Sequence, residues 1–310
     1  MKKLFITIAA VLLGAAFASA QDLASVTETF NNGAIALQAD NKTEALQSFR
    51  EALAGAELLG AEGEEIATKC KSYIPVLEFA IAKEMVNNQD YDNAVAALKT
   101  TIDLAKEYGD EGTAESAADL IPQVLMQKAN AFLSAKDYEA AVAGYKAVLD
   151  ADPNNGVAAL RLGSALNSAG DKDAAIEAFK LAAANGQEKQ AVKQISNIYL
   201  KNAAAALKAK NYAGAVSEAL KVNEYGENAK AYQIAAQASQ SLKKNNDAIN
   251  YFEKYLELAP NAGNATQIAY TVAALYQQQG NKAKAIEFYQ KAITDPKFGA
   301  EAQKQINALK

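Results

Sequence analysis

One seventeen-residue phrase, Asp137 to Pro153 (DYEAAVAGYKAVLDADP), constrains this chain more than any other stretch, because it returns in altered form along the 310 residues. With Ala141 as reference, the same position is held by Ala45, Ala94, Ala175, Ala215, Ala248 and Ala285. An aliphatic residue follows each: Leu46, Val95, Val142, Ile176, Val216, Ile249 and Ile286. Four residues past the alanine, on the same helical face, stand Phe49, Leu98, Tyr145, Phe179, Ala219, Phe252 and Tyr289, and only Ala219 is small. Twelve residues before it stands a residue with little or no side chain: Gly33, Ala82, Ala129, Gly163, Ala203, Ala236 and Ala273. Between these landmarks, helix N-cap types occur in six of seven copies, Asn41, Asp90, Asp137, Asp171, Asn211 and Asn281, with Lys244 the exception. Each unit therefore reads as helix, tight turn, helix, with the small residue of the first helix facing the reference alanine of the second. Seven such units in register predict a chain built by stacking one motif.

The pattern resembles the tetratricopeptide repeat (TPR), most closely in two copies. One runs from about Gln123 to Pro153 with Tyr138, Ala141 and Tyr145; the next holds Leu162, Gly163, Gly170, Ala175, Phe179 and Ala182. Their reference alanines are 34 residues apart, the period of that family. Ala248 follows Ala215 by 33, and Pro260 closes that unit as Pro153 closes the third. The family's usual Trp is absent, since the chain has none. The resemblance implies an all-α, right-handed α-solenoid of about seven TPR-like helix-turn-helix repeats.

The first two spacings are 49 and 47 residues, which predicts extended helices in the first two repeats, about two extra turns on each of two adjoining helices. Long-helix repeats are expected over 24–120, regular repeats over 121–297 and a capping helix over 298–310, all within a single solenoid spanning 21–310. Residues Met1 to Ala20 carry Lys2 and Lys3, an apolar run and the ending Ala18-Ser19-Ala20, the pattern of a secretory signal peptide. The expected chain is thus exported, to the periplasm or beyond it, with no transmembrane segment after cleavage.

Without the two leader lysines, 29 basic residues face 36 acidic ones, which argues against nucleic acid as a partner. Cys70 is the sole cysteine, so an intrachain disulfide is excluded, and an intermolecular bridge or reactive thiol is left as the alternative to a small helix residue. No histidine is present, which removes Ser-His and Cys-His nucleophile pairs and His metal sites. The look-alikes fail on their own terms. Ser241-Leu242-Lys243-Lys244 lacks the companion motifs of serine acyltransferases. The stretch from Asp150 has Asn155 where a calcium loop needs Gly and Arg161 where it needs Glu. Glu62, Glu64 and Glu65 sit where acids offset a helix dipole. No enzyme activity, cofactor or metal is expected.

In the resembled fold, first helices line a groove that holds a partner's extended segment. Helical spacing from the small landmarks places Gln127, Asn130 and Ser134, then Arg161, Ser164 and Asn167, then Gln233, Gln237 and Gln240, then Tyr270 and Gln277 on that face. Side-chain amides both donate and accept, so such a ladder suits a neutral peptide backbone. Other tyrosines on these helices are expected to pack between helices. The function expected is an exported, non-enzymatic scaffold or adaptor for a protein partner in cell-envelope assembly, secretion or transport. Self-association is left open, and a periplasmic or surface glycan-binding protein of carbohydrate uptake is the alternative.

Overall fold

A computed structural model describes residues 22–310, and the signal peptide expected at Met1 to Ala20 lies outside the described residues. The helices are α1 (Leu23–Gln38), α2 (Lys42–Leu58), α3 (Glu64–Asn87), α4 (Tyr91–Tyr108), α5 (Glu111–Ser134), α6 (Tyr138–Ala151), α7 (Gly156–Ala169) and α8 (Lys172–Ala182). They continue as α9 (Glu188–Lys208), α10 (Tyr212–Asn223), α11 (Ala229–Ser241), α12 (Asn245–Leu258), α13 (Ala265–Gln278), α14 (Lys282–Ala292) and α15 (Gly299–Leu309). Among the described residues there is no strand.

One turn, made seven times among the described residues, generates the hairpins. The residue just before each N-cap position has a left-handed backbone: Asp40, Gln89, Lys136, Gly170, Lys210, Lys243 and Gly280, with φ between 57° and 96°. That kink lets the next backbone N–H reach the carbonyl five residues back, as in Asn41 to Ala36, Asp90 to Met85, Asp137 to Phe132 and Asp171 to Leu166. The same bond recurs from Asn211 to Ala206, Lys244 to Ser239 and Asn281 to Tyr276. This closes the first helix in a Schellman motif. The residue that closes one helix then opens the next, since the Asp137, Asp171, Asn211 and Asn281 side chains each accept from a backbone N–H three residues on at 3.1 Å.

The landmarks pack as their spacing predicts, with one difference. All seven reference alanines are fully buried, as are Phe49, Leu98 and Tyr145. Burying each of these large side chains contributes about 2–3 kcal/mol. The small residue, however, meets the ring four residues beyond the alanine: a Cβ added at Gly33 would lie 3.0 Å from Phe49, and one at Gly163 only 2.6 Å from Phe179. Glycine there makes room for the ring.

The chain divides into two compact units, one ending at Ala131 and the other starting at Phe132. In the first, α1 pairs with α2, α2 with α3 and α3 with α4. Its extra length is not two turns on each helix. Eleven residues of α3 precede Pro75, eleven of α5 precede Pro122, and the second helices α2 and α4 gain only three or four residues over the 14 of α6. Both prolines fall seven residues before the small landmark, where α7 and α11 begin with Gly156 and Ala229. Proline is favoured at a first helical position because its missing N–H has no partner there. Each long helix is thus an ordinary repeat helix starting at its proline, extended backwards by three turns.

In the second unit α6 packs on α7, α7 on α8, α9 on α10, α10 on α11, α11 on α12, α13 on α14 and α15 on α14. It is not uniformly of ordinary hairpins. Ala215 follows Ala175 by 40 residues, and the surplus appears as a 21-residue α9 after a break at Asn185 and Gly186, the latter at φ 84°. Gly156 is required against this break, because a Cβ there would lie 2.0 Å from the Asn185 carbonyl oxygen.

Candidate functional site

The eleven side chains expected along the groove all sit on first helices: α5, α7, α11 and α13. Every one is exposed or half-buried. On α5, Gln127 and Ser134 are exposed and Asn130 is half-buried. On α7, the Ser164 hydroxyl donates to the Leu160 carbonyl at 3.0 Å, so it is spent inside its own helix. The exposed Arg161 and half-buried Asn167 make no side-chain hydrogen bond within the described residues. On α11, Gln233 accepts from Lys230 at 3.1 Å, while the exposed Gln237 and Gln240 have amides with no hydrogen bond among the described residues.

The α13 pair is absorbed by the cap. Tyr270 stacks on Phe298, centroids 4.9 Å apart, and meets the edge of Tyr289 at 5.3 Å. The Gln277 carbonyl oxygen accepts from the Tyr289 hydroxyl at 2.6 Å and its amide donates to Gln305 of α15 at 3.1 Å. Burial pushes the Tyr289 hydroxyl up to about 12, so it stays a donor. The remaining tyrosines also pack between helices: Tyr199 on Tyr225, Tyr232 on Tyr251, and Tyr276 through its hydroxyl to Glu253 at 2.8 Å.

The ladder is also interrupted. On α9 the equivalent positions hold Lys201, Ala204 and Leu207, and in the first unit they hold Asn31, Ala34 and Leu37 on α1 and Ala80, Lys83 and Val86 on α3. There the face is apolar and aromatic: Phe30 and Tyr73 flank Phe49 at 5.3 and 5.0 Å, and Lys83 lies 4.4 Å over Phe79. Sequence reasoning passed over this strip, although its aromatic spacing on α3 was the available signal. Cys70 is fully buried and its thiol is pushed up to about 11 by burial, which keeps it protonated. Among the described residues no helix is long and apolar enough to cross a membrane, and no group of three acidic or sulfur ligands could hold a metal.

Repeated hairpins that share one turn and leave polar side chains open on their first helices define a helical-repeat scaffold of the protein-binding kind. The chain carries tetratricopeptide repeats: family models of that name match residues 126–189, and again 229–262 and 266–294. The first two hairpins, whose spacings depart most from 34, lie outside the matched residues. No curated protein matches the chain. Among solved structures, the MamA protein is similar at 21% identity and TM-score 0.34 over 59% of this chain and 96% of its own. YrrB, described as a TPR protein with an unusual peptide-binding site, is 20% identical at TM-score 0.31 over 63% and 96%. The C-terminal part of a TPR repeat-containing protein from Cytophaga hutchinsonii is 16% identical at TM-score 0.35 over 74% and 99%. At these scores none of them adds to the argument, which rests on the repeats.

Proposed function

We propose that this chain is an exported, non-enzymatic adaptor of the cell envelope that holds an extended segment of another protein along its first helices. The observation that carries the reading is the set of open side chains on α7 and α11: Arg161, Asn167, Gln237 and Gln240. Most of the other polar groups on these helices are spent within the fold. These four offer donors and acceptors to a peptide backbone without ordering costs of their own beyond their rotamers. The lack of any histidine supports a binding role over catalysis, and the Met1 to Ala20 pattern supports export.

The test compares the chain lacking residues 1–20 with its Asn167→Ala, Gln237→Ala, Gln240→Ala triple variant as bait in a native envelope extract. A protein retained by the first and reduced about tenfold by the second, with helix content unchanged, is the expected result. Equal retention by both would remove the site from α7 and α11. Retention of glycan in place of protein would favour carbohydrate binding.

A further inference from the structure

The second unit contains a cleft that shares no residue with the groove. It has a volume of about 490 Å³ and lies between the second helices α12 and α14, over the first turns of α13. The repeat is longer here. Ala285 follows Ala248 by 37 residues, three more than separate Ala141 and Ala175. The linker between α12 and α13 accordingly runs over six residues, Ala259 to Asn264, where the one between α6 and α7 has four. The longer linker borders the space between α12 and α14, with Pro260 of the linker in the lining.

The lining is amphipathic. Leu256, Pro260, Ala265, Ala269 and the buried ring of Phe288 supply apolar surface; Glu253, Glu257, Glu287, Lys284 and Lys291 supply charge. These charges are not equally committed. Glu287 accepts from Lys284 at 2.9 Å and from Lys291 at 3.1 Å, so both lysines are spent on it. Glu257 accepts from Lys254 at 2.7 Å. Glu253 accepts only the Tyr276 hydroxyl, at 2.8 Å, and has no ammonium or guanidinium within ion-pair distance among the described residues. Half-buried beside apolar surface, its carboxylate keeps lone pairs that a planar, bidentate cation would fill.

We infer that this cleft is a pocket for an arginine side chain of a partner protein, whose guanidinium pairs with Glu253 while its methylene stem lies against Leu256, Pro260 and Phe288. A guanidinium suits it better than an anion because the three carboxylates of the lining, Glu253, Glu257 and Glu287, outnumber its two lysines, and both of those lysines are already paired with Glu287. The stem suits it because long cationic side chains bury their methylenes while keeping the head group wet.

The probe is a blocked, otherwise neutral hexapeptide with one arginine, titrated into the isotopically labelled chain and followed by amide chemical shifts. Saturable shifts confined to α12, α13 and α14, about tenfold weaker for the same peptide with citrulline and for Glu253→Gln, are expected. Glutamine still accepts from Tyr276, so that variant keeps the fold. A second variant, Leu256→Lys, places an ammonium in the cleft and is expected to abolish the shifts. No shift at millimolar peptide, equal shifts with citrulline, persistence in Glu253→Gln, or shifts with a glutamate peptide in place of arginine would each overturn the proposal. The groove reading is untouched by any of these results, because Asn167 and Gln237 lie outside the cleft.

Discussion

The two units build the same hairpin with different adhesives. In the first, ion pairs cross between helices: Arg50 of α2 with Glu78 of α3, Lys42 with Glu84 at 2.8 Å, Lys71 with Glu57 at 2.9 Å and Lys128 with Asp92 at 2.5 Å. In the second, the ion pairs stay within one helix at three- or four-residue spacing, as in Lys221 with Glu218 and Lys284 with Glu287. What crosses between its helices is uncharged at one end or both: Tyr276 to Glu253, Tyr289 to Gln277, Gln279 to Asn246 and Gln277 to Gln305. Helix length does not account for this: Glu78 and Glu84 follow Pro75 and Lys128 follows Pro122, and only Lys71 with Glu57 lies in the added turns. The difference comes from which side chains the repeat positions carry.

Substitutions at five places test the difference between the units. The largest effect is expected from Gly163→Ala in the second unit, where the new Cβ would sit 2.6 Å from the Phe179 ring. Overpacking of this kind costs about 1–3 kcal/mol, read as a lower urea midpoint. Gly33→Ala in the first unit is expected to change stability by less, because the added Cβ would lie 3.0 Å from Phe49 and not 2.6 Å, leaving a smaller overpacking cost against the same gain of about 1 kcal/mol in helix propensity.

Next comes the Arg50 and Glu78 pair. Glu78 has only 9% of its side chain exposed, whereas Arg50 has 48%. Burial raises the Glu78 carboxyl above its ordinary 4.5 even with Arg50 beside it, so desolvation outweighs the pairing. A raised acid stabilises the fold fully below 4.5, and that contribution is lost as the pH climbs through the raised value. Arg50→Gln strips the partner from a buried carboxylate and, because Arg50 itself is half exposed, is expected to cost about 1–2 kcal/mol at pH 7, shrinking toward zero as the pH falls below 4.5. Glu78→Gln leaves a well-solvated arginine and is expected to be neutral or stabilising at pH 7. Thermal melts across the pH range read both, and an Arg50→Gln loss that persists at low pH would break the account.

Smaller is Ser239→Ala in the second unit. The Ser239 hydroxyl is buried with no hydrogen-bond partner among the described residues, at a position held by Ala36 and Ala206 in other repeats. Removing it is expected to stabilise by about 1 kcal/mol, seen in a urea titration. Smallest is Gln89→Gly in the first unit. Relief of the left-handed strain at φ 60° is worth about 1–2 kcal/mol and is partly cancelled by glycine's entropy, leaving a rise of about 0.5 kcal/mol.

How much of this could be read in advance depended on whether the cause was local. The turn was legible, because its N-cap types, small residues and ring positions are neighbours in sequence and each acts within one hairpin. Total helix length was legible from the spacing of the reference alanines, but its distribution was not. Pro75 and Pro122 held that information, and only an ordinary first helix starting at Gly156 or Ala229 reveals what a proline seven residues before the landmark means. The exposure of the groove residues followed from helical periodicity. The engagement of Tyr270 and Gln277 did not, because it depends on where Phe298 and Gln305 arrive, and no periodicity within α13 encodes the position of α15.

The measurement closest to the central claim is site-specific photocrosslinking in the native envelope. The crosslinking residue is placed in turn at Asn167 and Gln237 on first helices and at Glu177 on the second helix α8. The account predicts that one partner protein is captured from both first-helix positions through a contiguous segment of its chain, and is not captured from Glu177. Capture from Glu177 alone, or of unrelated proteins at each site, would contradict a peptide-binding groove.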